Sequence, residues 1–67
     1  MNKAHGSPFD RGSADSYYRR FPSPHWYPDG MGKGIRIEKK DMNPEEIAEY
    51  WVGWKENEED EIFKEWD

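Results

Sequence analysis

The sequence predicts a small α+β domain: two helices packed through an aromatic core, with a short β-hairpin between them. Three observations predict it. Two segments open with complete helix-start patterns, Ser7-Pro8-Phe9-Asp10 and Asn43-Pro44-Glu45-Glu46. Between them, Gly34-Ile35-Arg36-Ile37-Glu38-Lys39-Lys40 alternates apolar and polar residues, which is the period of a strand. The apolar content is aromatic rather than aliphatic: leucine is absent, Ile, Val and Phe number eight, and Trp, Tyr and Phe number eleven. One aromatic side chain can bury roughly 150–250 Å², so a few rings can replace many aliphatics.

The second helix is the clearer of the two. Asn43 can accept from the free amides of the first turn, and Pro44 takes the first helical position, where its missing N–H costs nothing. Glu46 can close a capping box and Met42 can staple onto Ile47. Ile47, Tyr50, Trp51 and Trp54 then form one stripe at helical spacing, so Trp51 and Trp54 are expected to be buried. The helix is expected to fray near Asn57–Glu59, because carboxylates are poorly placed at a helix C-terminus.

The first helix is expected from about Pro8 to Arg20, with Ser7 as its cap. Ala14, Tyr17, Tyr18 and Phe21 stand at i, i+3, i+4 and i+7 and mark its buried face, and Pro22 ends it. Gly12 and Gly53 each lie inside a helix, where glycine costs about 1 kcal/mol relative to alanine. Either the two glycines let backbones or a ring approach closely, or Gly12 breaks the first helix into a turn and a shorter helix. His25-Trp26-Tyr27 is the expected partner of the 34–40 strand. Pro28-Asp29-Gly30 is a turn, since Pro presets φ and Gly accepts positive φ, and Gly32 and Gly34 extend the loop. Ile62, Phe63 and Trp66 form an amphipathic tail that either folds back or docks elsewhere. The chain thus divides into a lead-in (1–6), one domain (7–57) and an acidic tail (58–67).

Charge is uneven. Residues 1–40 hold eight Lys/Arg against four Asp/Glu, and residues 41–67 hold two against eleven, which gives +4 and −9. Such asymmetry can steer a partner to one face. No membrane span or signal-peptide pattern is present, and no cysteine, which points to a cytosolic protein. His5, His25, Asp10 and Asp15 lack the spacing of a zinc site. No carboxylate pair is marked by an apolar setting that would separate two pKa values. No catalytic residue, metal or cofactor is therefore assigned.

Two surfaces remain as candidates. Glu45, Glu46, Glu49 and Glu56 form an acidic face for a protein partner; with Glu58, Glu59, Asp60 and Glu61 such an array can also imitate nucleic-acid phosphates, or serve only as a solvated helix face. Arg11, Tyr17, Tyr18, Arg19, Arg20, His25 and Trp26 form an alternative ligand site, because aromatics interleaved with arginines can stack bases and hold phosphates. At helical spacing Tyr17, Tyr18 and Phe21 read first as core, ahead of a ligand site, and Arg19 and Arg20 read as partners of the acidic helix.

Two resemblances bear on function. His5-Gly6-Ser7-Pro8-Phe9-Asp10-Arg11-Gly12-Ser13-Ala14-Asp15-Ser16-Tyr17-Tyr18, then Pro24-His25-Trp26-Tyr27-Pro28, then the Glu45-Glu46-Ile47-Ala48-Glu49-Tyr50 helix, resembles a group of short proteins encoded by tailed bacteriophages. This implies an accessory protein made in an infected bacterial cell. Arg11-Gly12, the Pro24-containing link and Trp51-Val52-Gly53-Trp54-Lys55-Glu56 are similar to the two-helix pattern of the ribosome modulation factor family, which binds ribosomal RNA. That family is basic, whereas this chain carries a net charge of −5. The expected function is a non-enzymatic phage accessory protein, cytoplasmic in the host cell, that modulates a host macromolecule, a protein ahead of nucleic acid. The alternatives are a small-ligand or nucleotide binder and a ribosome-associated factor.

Overall fold

A computed structural model describes residues 3–30 and 34–65. The expected α+β architecture is present: helix α1 (Pro8–Tyr17), strands β1 (His25–Trp26) and β2 (Ile37–Glu38), a single 3-10 turn (Lys39–Asp41) and helix α2 (Pro44–Asp60). β1 and β2 pair antiparallel, His25 opposite Glu38 and Trp26 opposite Ile37. The Pro28-Asp29 turn closes by a bond from Gly30 N–H to the Tyr27 carbonyl (3.1 Å). The strand pair is shorter than the 34–40 alternation predicts, because Lys39–Asp41 turns toward α2 instead. Gly32 of the expected loop and Trp66 of the expected tail lie outside the described residues.

Both helix starts form as their sequences dictate. Asn43 Oδ1 accepts from Glu46 N–H (2.8 Å) and Glu46 Oε1 accepts from Asn43 N–H (2.9 Å), so the capping box is complete. Ser7 Oγ accepts from Asp10 N–H (3.3 Å), while the Asp10 carboxylate reaches one residue further back, to Gly6 N–H (2.9 Å).

The first helix stops at Tyr17, three residues before the predicted end. Arg19 adopts left-handed geometry (φ 57°), Arg20 N–H bonds the Asp15 carbonyl and Arg19 N–H bonds the Ser16 carbonyl. These two bonds make a Schellman ending, built here without the glycine that usually announces it. Phe21 is consequently carried off the helix and is 89% exposed. The second helix does not fray at 57–59; it continues through Asp60 and ends at left-handed Glu61. Its last turn is tied to α1: Ser16 Oγ donates to Glu58 (2.5 Å), and Asn57 Nδ2 donates to Ser16 Oγ (3.0 Å) and to the Ile62 carbonyl (2.8 Å). The tail beyond it turns back. Lys64 N–H bonds the Tyr17 carbonyl (2.7 Å) and the Arg19 guanidinium lies 4.8 Å from the centre of the Phe63 ring.

The helices meet backbone to backbone. A methyl group built on Gly12 would lie 1.9 Å from the Tyr50 carbonyl oxygen, and one on Gly53 would lie 2.1 Å from the Phe9 carbonyl oxygen. The close-approach reading of the two glycines is therefore the one the structure takes, and α1 is unbroken at Gly12. This crossing decides which faces are buried. α2 buries Tyr50 and Gly53; α1 buries Pro8, Arg11, Gly12, Asp15 and Ser16. The predicted face of Ala14, Tyr17, Tyr18 and Phe21 is not the buried one: the first three are half-buried on its flank. Likewise Trp51 is 39% exposed and Trp54 is half-buried. The aromatic cluster is present but centres on Tyr50, which is fully buried, with edge-on contacts from Tyr50 to Trp51 and from Trp51 to Trp54.

Candidate functional site

Among the described residues, a buried network at the helix crossing and an open groove beside the start of α2 each combine several polar side chains.

The network is built around His25 and Tyr50. Arg11 Nε can only donate, so His25 Nε2 accepts from it (3.2 Å). The proton of the neutral ring then sits on Nδ1, which donates to the Ser23 carbonyl (2.7 Å). The Tyr50 hydroxyl donates to Asp15 Oδ2 in a short bond and accepts from Ser23 N–H (2.9 Å). Asp15 also faces Arg20 (3.6 Å) and His25 Nδ1 (3.7 Å). Burial pushes the His25 pKa below its ordinary 6.5; the Arg36 and Arg11 charges push the same way, against the Ser23 carbonyl and Asp15. Burial, with the Asp15 bond, raises that of Tyr50. Arg11, Asp15, His25 and Tyr50 are all buried. The network joins α1, β1 and α2, and satisfied buried polar networks of this kind fix a unique packing.

The groove is lined by Pro8, Trp26, Asn43, Glu45, Glu46 and Glu49 and holds about 260 Å³. It sets an indole and a proline ring against carboxylates. Glu46 is committed to the Asn43 cap. Among the described residues, Glu45 and Glu49 make no ion pair and no Lys or Arg lines the groove.

The acidic face expected from the sequence is geometrically coherent. Glu45, Glu49 and Glu56 fall at i, i+4 and i+11, one flank of a helix, and Glu46 sits nearer the crossing. Of the seven residues of the alternative site, five are joined by contacts, Arg11 to His25 and, through Asp15, to Arg20 with Tyr18 and Tyr17, while Arg19 packs on Phe63 and Trp26 lines the groove. Arg11 and His25 are inside the network. Arg20 lies 4.7 Å from the Tyr18 ring centre and pairs with Asp15, not with the acidic helix. Arg19 is on Phe63, Tyr17 packs edge-on against Tyr18 (4.9 Å), and Trp26 faces the groove. Sequence reasoning missed Asp15, Ser23 and Tyr50 as the partners of Arg11 and His25 in this network. The one available signal was Arg11 and Asp15 four residues apart on the helix that carries Gly12.

Among the described residues no group of His, Asp or Glu is arranged to hold a metal ion, and no helix is long and apolar enough to cross a membrane. No family model, curated protein or solved structure matches this chain.

Proposed function

We propose that this protein is a non-enzymatic accessory protein of a tailed bacteriophage, acting in the cytoplasm of the bacterial host. In this reading it binds and modulates a host protein through the acidic flank of α2 and the aromatic residue beside it. The observation that carries the reading is the alignment of Glu45, Glu49 and Glu56 along one flank of α2, next to a groove that Trp26 helps to line. The carboxylates face solvent rather than the Lys and Arg of the basic half, so their field is available to a basic partner.

The test is capture from bacterial lysate with and without nuclease. A protein should be retained in both, and reversing Glu45, Glu49 and Glu56 to Lys should release it. The loss should be largest at low salt, because exposed charges act over about 10 Å at 0.1 M ionic strength. The nucleotide-binding alternative has its own support in Arg19 and Arg20, which are exposed and each laid over a ring. Retention that depends on nuclease-sensitive material and on these two arginines would favour it, or the ribosome-associated reading, over the first.

A further inference from the structure

The groove has a composition suited to one kind of ligand. The face of an indole attracts a cation more strongly than that of any other side chain. Here an indole, a proline and three carboxylates line one groove, and two of the carboxylates, Glu45 and Glu49, make no ion pair among the described residues. The protein places its own cations on aromatic rings elsewhere: Lys3 over Phe9, Arg11 over Tyr27, Arg19 over Phe63 and Arg20 over Tyr18. The Trp26 groove offers a ring and negative charge together, yet among the described residues no Lys or Arg lines it. An anionic ligand is excluded by the three glutamates, and a purely apolar one would bury them without a counter-charge, which is costly.

We propose that the groove is a socket for one basic side chain, Lys or Arg, of a partner protein. The cation lies between the Trp26 indole and the carboxylates of Glu45 and Glu49. The inference rests on the protein-binding reading above and names where on the acidic flank the specificity resides. Glu56, a further two turns along the same flank, contributes long-range attraction but no contact in the socket.

The experiment titrates the isotope-labelled full chain with capped pentapeptides carrying one central Arg, Lys or Gln among Gly and Ser, followed by the Trp26 indole N–H and the amides of residues 45–49. The Arg and Lys peptides should shift these resonances saturably and the Gln peptide should not. Replacing Glu45 and Glu49 by Gln removes both ion pairs while leaving Trp26 in place and should weaken binding about tenfold, the scale of two ion pairs of up to about 1 kcal/mol each. Replacing Glu56 and Glu59 by Gln makes the same change in net charge outside the groove and should weaken it less than about twofold. Both double variants alter exposed or half-buried glutamates outside the cap, so folding is preserved. Equal losses in the two variants, equal shifts from the Gln peptide, an unmoved Trp26, or spermidine binding as tightly as the peptides would each overturn the socket. If lysate capture still depends on the acidic flank while the peptides fail, only the socket falls. If the peptides bind as expected but no protein is captured, the protein-binding reading falls.

Discussion

The helix crossing and the outer flank of α2 obey opposite rules. At the crossing, two glycines remove every side-chain atom between the backbones, and the groups packed around them are Arg11, Asp15, Ser16, His25 and Tyr50. On the flank, large indoles stand half out of the protein, Trp51 meeting Tyr50 and Trp54 edge to face. Apolarity alone would assign the indoles to the interior and the charged groups to solvent. The difference teaches that backbone distance ranks above hydropathy here. Once the helices approach this closely, a Trp cannot fit between them. The small and polar residues flanking the glycines are enclosed and must satisfy one another.

The largest expected effect is at the crossing. Gly12→Ala and Gly53→Ala place a methyl group on a carbonyl oxygen of the facing helix, so the helices must separate. Each should cost roughly 3 kcal/mol or more, the upper end of overpacking penalties, and melting followed by circular dichroism should show a domain of this size largely unfolded at 37 °C. Next is Tyr50→Phe. It leaves the cavity filled but strips a bond from buried Asp15 and from Ser23 N–H, which should cost about 2 kcal/mol in denaturant unfolding. Wild-type stability in this variant would mean that the network is not part of what holds the helices.

The third prediction concerns pH. His25 has a folded pKa lowered below 6.5 by burial, so between those two values the unfolded chain binds more protons than the folded one. The stability from neutral His25 is complete above pH 6.5 and is lost as pH falls from 6.5 through the lower folded value. Protonation would also turn Nε2 from an acceptor into a donor facing Arg11 Nε, breaking that bond. Melting temperature should decline across this window, and His25→Gln, whatever its own stability, should remove that part of the slope.

The smallest effects belong to the surface. Asn43→Ala should cost about 1 kcal/mol and Asn43→Gly only a few tenths, through loss of the cap. Trp51→Ala should cost only about 1 kcal/mol, against about 3–5 for a tryptophan in a core. The ordering of Gly12→Ala far above Trp51→Ala is the reverse of what an apolar-stripe reading of the helices requires.

These contrasts show what was legible in the sequence. The α2 start could be read in full, because Asn43, Pro44 and Glu46 act within one turn and need no tertiary context. The Pro28-Asp29 turn was readable for the same reason, since it closes on the Tyr27 carbonyl three residues before Gly30. The end of α1 was not, because Arg19 takes a conformation that only a glycine would have signalled. The buried face of α1 was not either: Arg11, Asp15 and Ser16 read as solvent-facing until their partners on β1 and α2, ten or more residues away in sequence, are known to be adjacent. Of the candidate surfaces, the acidic flank followed from helical spacing alone. The groove did not, since Trp26 and Glu49 meet only through the fold.

The most direct test of the backbone-to-backbone crossing is a nuclear Overhauser measurement on the folded protein. The site a Gly12 methyl would occupy lies 3.0 Å from Trp54 N, and that of Gly53 lies 3.1 Å from Phe9 Cα. Strong cross-peaks should therefore join the Gly12 α-protons to the Trp54 amide proton, and those of Gly53 to the Phe9 α-proton. Their absence, together with strong cross-peaks between the Trp51 indole and the Tyr17 and Tyr18 rings, would mean that the helices pack stripe against stripe, and would contradict the crossing.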